Sequence, residues 1–427
     1  MDLHRIERTL KTFNQLGYSE NGMNRLAYTE EELKAKNLFI KICKDEGMKV
    51  RTDACGNVIA RREGTHPELP PVAVGSHLDT VFDGGQYDGA VGVITGIELI
   101  RSLNDRKIQT KHPIEVICFT AEESSRFGVA TIGSKAMAGK LDTEKVADLK
   151  DHKGVALKEA FTQMGLNFKE VESASRRNEN IKAFFEVHIE QGPVLEKEKK
   201  KIGIVTGIAA PTRIKVTLEG KASHSGTTPM DLRKDAFLGA AEIGLIVEQA
   251  AKSEAGNGTV ATVGDCTIEP GAMNVVPGKA EMKIDIRGIE TASKQKVLAK
   301  VMNGLRELEK RRKLVVHSEM LVDDEPVLLE QEVISSISET CEQSVISNLK
   351  MPSGAGHDAM NMATLCPTGL IFIPCKDGLS HHKDEFASLY DIGVGAYLLE
   401  KEVLKWAIST NHSINEMDRG GVLHESL

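Results

Sequence analysis

Four short, nearly uninterrupted apolar runs limit this chain's fold more than any other feature: residues 72–74, 114–120, 183–187 and 370–373. Each is too short for an ordinary helix and lacks the alternation of a strand with one wet face. Each therefore reads as a strand buried on both faces of a largely parallel sheet. Helical stretches stand beside them, at 89–103 and from Leu389 to about Ala407. Another is announced by Thr29 and Glu32, a capping-box pair, with Ala35, Leu38, Phe39, Ile42 and Cys43 following at helical spacing. The expected class is α/β, with a central largely parallel sheet between helices.

The middle of the chain changes character. Ile214, Val216 and Leu218 alternate with polar residues, and a helix follows over 232–252. Strands come next at 259–268 and 280–286, then a charged helix at 292–311 and a last strand at 314–320. That β-α-β-β-α-β order is the ferredoxin-like pattern. The chain of 427 residues exceeds what one core usually holds. The expected division is 1–208, an inserted α+β segment at 209–325, and 326–427, with the outer pieces forming one domain. The polar tail from Asn411, with Gly420 and Gly421, is expected to be mobile.

A net charge of −8 argues against nucleic acid as a partner, because phosphates demand a basic footprint. No apolar run is long enough to span a bilayer, and the opening residues hold no apolar stretch like that of a secretory leader. Seven cysteines without a C-x-x-C pair read as reduced, mostly buried thiols. The expected location is cytoplasmic. There is no G-x-S-x-G elbow, no Walker A loop, and no glycine fingerprint placed for a dinucleotide.

Five fragments carry chemistry: His77-Leu78-Asp79, Asp88-Gly89, Glu122-Glu123, His188-Ile189-Glu190-Gln191-Gly192 and Ser380-His381-His382. Four are expected just past strand ends, where side chains converge on one rim of an open sheet. Asp88 is expected at the start of a helix. Each fragment alone is ordinary; a lone histidine more often packs than ligates. Two adjacent acids closing an apolar strand are costly to bury, however, unless a cation meets them. Histidine and carboxylate ligands without thiolates suit Zn, Mn, Co or Ni.

The chain resembles the aminoacylase and carboxypeptidase G-like superfamily of two-metal amidohydrolases. Within it, the chain is similar to the branch of N-carbamoyl-L-amino acid hydrolases, β-ureidopropionases and allantoate amidohydrolases. The marks are the segments 75–80 (Gly-Ser-His-Leu-Asp-Thr), 188–192, 224–230 (His-Ser-Gly-Thr-Thr-Pro-Met) and 354–359 (Gly-Ala-Gly-His-Asp-Ala), and the similarity runs from about Arg25 to Ala407. The resemblance implies two divalent ions per subunit and a ferredoxin-like lid that dimerises. Asp88 would bridge the ions, with His77 and His188 on one and Glu123 and His381 on the other. Glu122 would be the general base, and Asp79 would orient His77. His224 would stabilise the oxyanion; Gln191, Asn274, Arg287 and Gly356 would hold a small ureido-acid substrate. The family's usual Ser-His-Ser-Pro-x-Glu is here Ser380-His381-His382-Lys383-Asp384-Glu385. Counting back from Glu385 selects His381, and the rival is His382. Apart from the resemblance, Arg287 reads first as the surface ion-pair partner of Asp285 or Glu290.

Overall fold

The computed structural model describes residues 1–408, so the expectation for the tail lies outside the described residues. The chain divides into two compact units. The first comprises Met1–Ile204, Glu332–Leu349 and the described residues from Asn361 onward; the second comprises Val205–Gln331 and Lys350–Met360.

In the first unit the apolar runs become the strands Val72–His77, Ile114–Phe119, Ala183–Ile189 and Thr368–Ile373, every residue of which is buried. They pair parallel in the order 368–373, 183–189, 72–77, 114–119. The edge beyond Ile114–Phe119 is antiparallel, through Val58–Arg62 and then Lys49–Thr52. The sheet is thus parallel through its four central strands, as strands without a wet face require, and antiparallel again at the other edge, where Gly203 and Ile204 pair with Phe372 and Ile371. Helix Ala90–Asp105 buries thirteen of its sixteen residues. Its one buried acid, Glu98, is held by the Arg5 guanidinium at 2.8 Å. Helix Glu30–Asp45 starts at its Thr29 cap. The capping box is altered, because Glu32 reaches back to the Tyr28 N–H rather than to Thr29.

The second unit holds a four-stranded antiparallel sheet in the order Val260–Glu269, Lys279–Gly288, Ala210–Glu219, Val315–Asp323. With helices Ala236–Lys252 and Thr291–Arg312 this is the ferredoxin-like α+β arrangement. Ile214, Val216 and Leu218 sit in one core with Ile243, Val247, Val301 and Leu305 from the helices. Burying such a side chain stabilises by about 1.5–3 kcal/mol. The first helix begins at Ala236, not at 232. Asp235 accepts from the Leu238 N–H and caps it, while Met230–Leu232 form a separate 3-10 turn. All seven cysteines are free, and only Cys266 is exposed. No helix among the described residues is long and apolar enough to cross a membrane.

Candidate metal centre

Two histidines reach one rim from adjacent parallel strands. His77 is the last residue of its strand and His188 the last but one of its own, so both lie within strands rather than past them. Their rings stack with centroids 5.9 Å apart. Each has its tautomer set by a carbonyl, which can only accept. His77 Nδ1 lies 2.9 Å from the Asp79 carbonyl oxygen, and His188 Nδ1 lies 2.9 Å from that of Ile189. The proton therefore sits on Nδ1 in both rings, and Nε2 faces the site. Gly89 donates its N–H to His188 Nε2 at 3.2 Å. Its φ of 64° needs a glycine, and a Cβ there would lie 2.4 Å from His77 Cε1.

Asp88, two residues ahead of helix Ala90–Asp105, is where everything meets. Its Oδ1 lies 3.1 Å from His188 Nε2 and 3.5 Å from His77 Nε2. Its Oδ2 lies 3.2 Å from His381 Nε2, which is also 3.2 Å from Glu123 Oε1. Two groups of donor atoms result, His77–Asp88–His188 and Asp88–Glu123–His381, each with all atoms within 4.8 Å and sharing Asp88. Glu122 stands beside the first group, its Oε2 3.7 Å from His77 Nε2. His382 turns away, accepting from the Asp384 N–H at 3.2 Å. The structure brings His381, and not His382, against Asp88 and Glu123.

The donor set fits divalent cations. Tetrahedral ligands at 2.0–2.1 Å from an ion stand about 3.3 Å apart, which matches these separations. Nε2 lone pairs aimed at a carboxylate oxygen also repel unless positive charge lies between them. The electrostatics agree. Hydrogen bonds to Asp88 and Glu123 lift the His381 imidazole to about 11. Burial alone would raise the Asp88 carboxyl, but His188, His381 and His77 hold it well below the usual carboxylate range.

Asp79 meets His77 more closely through its backbone than through its side chain. Its carboxylate is 3.7 Å from His77 Nδ1 and instead accepts the N–H groups of Glu122 and Glu123 at 3.2 and 2.9 Å. It is the Asp79 backbone carbonyl that holds the imidazole. Gln191 donates through Nε2 to Asp88 Oδ2 at 2.6 Å, so that amine already has a partner. Its buried Oε1 has no hydrogen-bond partner. Two groups that carry no assigned role in the sequence, Ser380 and Glu385, reach Asp88 with their side chains, Ser380 at the carboxylate and Glu385 at the N–H. The signal lies in the segment 380–385 itself, where Ser380 and Glu385 stand on either side of His381.

The remaining expected residues belong to the second unit. His224 and Asn274 come together in a small ribbon, where Ser223–His224 pairs with Val275–Val276 and the Ser225 N–H donates to the Asn274 carbonyl. His224 Nδ1 accepts from the Gly226 N–H at 3.1 Å, which leaves Nε2 as the donor of the neutral ring. Arg233 steadies this turn through the carbonyls of Ser225 and Thr228. Arg287 takes the ion-pair reading, meeting Asp285 Oδ2 at 3.1 Å, while it also donates to the Gly354 carbonyl. Gly356 lies in the same unit, in the turn after Gly354.

Comparison with known proteins gives the family. Residues 73–405 match the model of "Peptidase family M20/M25/M40". An N-carbamoyl-L-amino acid amidohydrolase of Geobacillus stearothermophilus is 38% identical over 94% of this chain and 98% of its own. A ureidoglycolate hydrolase of Oryza sativa subsp. japonica is also 38% identical, over 88% of this chain and 79% of its own. The crystal structure of a hydantoinase/carbamoylase family amidase from Burkholderia multivorans superposes with a TM-score of 0.90 at 34% identity, covering 96% of this chain and 98% of that one. The chain therefore belongs to Peptidase family M20/M25/M40, as a hydrolase of its amidohydrolase branch.

Proposed function

We propose that the protein hydrolyses the carbamoyl C–N bond of an N-carbamoyl-L-amino acid, releasing the amino acid, ammonia and CO2. The observation that carries this is the pair of donor groups sharing Asp88 with Glu122 beside them, in a chain 38% identical to a relative named for that activity. Allantoate and β-ureidopropionate are the alternative substrates that the sequence marks suggest. A second relative adds ureidoglycolate, which those marks did not raise. All carry a ureido group and a carboxylate.

On this reading His77 and His188 would hold one divalent ion (Zn, Mn, Co or Ni), Glu123 and His381 would hold the other, and Asp88 would serve both. Bound there, such ions would supply polarisation of the ureido carbonyl, a poor electrophile, and would acidify water. Glu122 takes the proton of the attacking water and returns it to the leaving nitrogen. Asp79 keeps Glu122 and Glu123 in place through their backbone N–H groups. The free Gln191 Oε1 is an acceptor suited to a ureido N–H. From the second unit, His224 offers its Nε2–H to the developing oxyanion, and Asn274, Arg287 and the backbone near Gly356 bind the carboxylate. A planar guanidinium suits that task, although Arg287 must share itself with Asp285. The working form is a cytoplasmic homodimer joined through the inserted unit. Ammonia release from a panel of N-carbamoyl-L-amino acids, allantoate, ureidoglycolate and β-ureidopropionate, with Mn and Zn supplied separately, tests this. Fastest turnover is expected on a carbamoyl-L-amino acid. No release from any of the panel would refute the reaction class.

A further inference from the structure

Asp88 and His381 are 293 positions apart, yet their side chains must meet to within a few tenths of an ångström for the second donor group to exist. One buried side chain touches the segments that carry both. Glu385 is 3% exposed. Its Oε1 accepts the N–H groups of Tyr87 and Asp88 at 2.8 and 3.0 Å. Its Oε2 lies 2.9 Å from the hydroxyl of Ser380, and that hydroxyl lies 2.9 Å from Asp88 Oδ2. Ser380 is bonded to His381, which turns the chain at φ 56°. The clamp therefore acts on Oδ2, the Asp88 oxygen that faces His381, whereas Oδ1 faces His77 and His188. Space is reserved for it. A Cβ on Gly85 would stand 2.1 Å from the Glu385 carboxyl carbon, although Gly85 has no positive φ that would itself demand glycine.

We infer that Glu385 is a positioning residue that fixes Asp88 Oδ2 and the Ser380–His381 turn relative to each other, and so sets the affinity of the Asp88–Glu123–His381 position for its ion. This rests on the proposed ligand assignment. Glu385 binds no ion; it acts through Asp88 and Ser380. Partners of metal ligands of this kind affect metal affinity by roughly 10- to 100-fold when removed.

The test is a calorimetric titration of chelator-treated protein with Mn, alongside elemental analysis and the melting temperature. Glu385→Ala is expected to bind one ion as the parent does and the other roughly 10- to 100-fold more weakly. Glu385→Gln keeps an acceptor for the two N–H groups and is expected to recover most of that loss. Gly85→Ala, which displaces the carboxylate without removing it, is expected to copy Glu385→Ala, and it carries the test if Glu385→Ala does not fold. A merely structural role predicts a lowered melting temperature with two ions bound at parental affinity, and that result overturns the inference. Asp88→Ala is the control for the ligand assignment. If it binds two ions like the parent, the assignment fails, whatever Glu385 does.

Discussion

Glu122 and Glu123 are neighbours in sequence, but the turn after Ile114–Phe119 sends them to different partners. Glu123 Oε1 meets His381, while Glu122 Oε2 stands near His77. If Glu122 is the base, Glu122→Gln should keep both ions and lose roughly 10²- to 10⁴-fold in kcat. Glu123→Gln should lose metal instead, and exchanged phenotypes would reverse the two roles. The neighbouring histidines allow a similar comparison. His381→Ala should lose an ion and nearly all turnover, whereas His382→Ala, at an exposed ring bound to Asp384, should retain both. Elemental analysis beside steady-state rates checks each pair. The residue types of this site were legible in the sequence, because acids and histidines closing apolar runs are costly to bury unless a cation meets them. Their partners were not. Whether the Asp79 carboxylate meets an imidazole or two backbone N–H groups depends on how a turn 43 residues away is packed. Arg287 likewise gave two readings, and only the fold brought Asp285 against it.

At the scale of elements, helix Glu30–Asp45 is tied to the turn that carries the two glutamates. Buried Lys36 lies 2.7 Å from buried Glu32 and donates to the Thr120 hydroxyl at 2.6 Å, just ahead of Ala121 and Glu122. Removing one partner of a buried ion pair leaves the other charge unmet. Lys36→Ala should therefore cost about 3–5 kcal/mol in urea unfolding. Replacing Lys36 and Glu32 together by apolar residues should restore much of that, and a loss below about 1 kcal/mol for the single change would show the pair to be weak. The strands were legible because burial on both faces leaves no polar positions to blur a run. The start of the second helix was less so. Leu232 continues the apolar pattern, yet it is 68% exposed, and Asp235 as a cap outweighs periodicity there. The two central strands of the inserted sheet, Ala210–Glu219 and Lys279–Gly288, were readable because every second residue is buried, whereas the outer strands Val260–Glu269 and Val315–Asp323 bury no residue and are read from their place in the β-α-β-β-α-β order.

In the whole molecule, the proposed work is divided between two units. The proposed metal ligands and Glu122 belong to the first, and His224, Asn274 and Arg287 to the second. If the working form is a homodimer in which His224 serves the partner's centre, mixing Glu122→Gln with His224→Ala subunits should recover part of the activity neither has alone. Tagged heterodimers that stay inactive would exclude service in trans. The central claim is that paired divalent ions and the ureido chemistry depend on each other. The most direct measurement titrates Mn into chelator-treated protein while following ammonia released from an N-carbamoyl-L-amino acid. No release is expected without metal, and full release, with one amino acid formed per ammonia, is expected as two ions per chain are bound. Full release from protein that elemental analysis finds free of metal would contradict the claim.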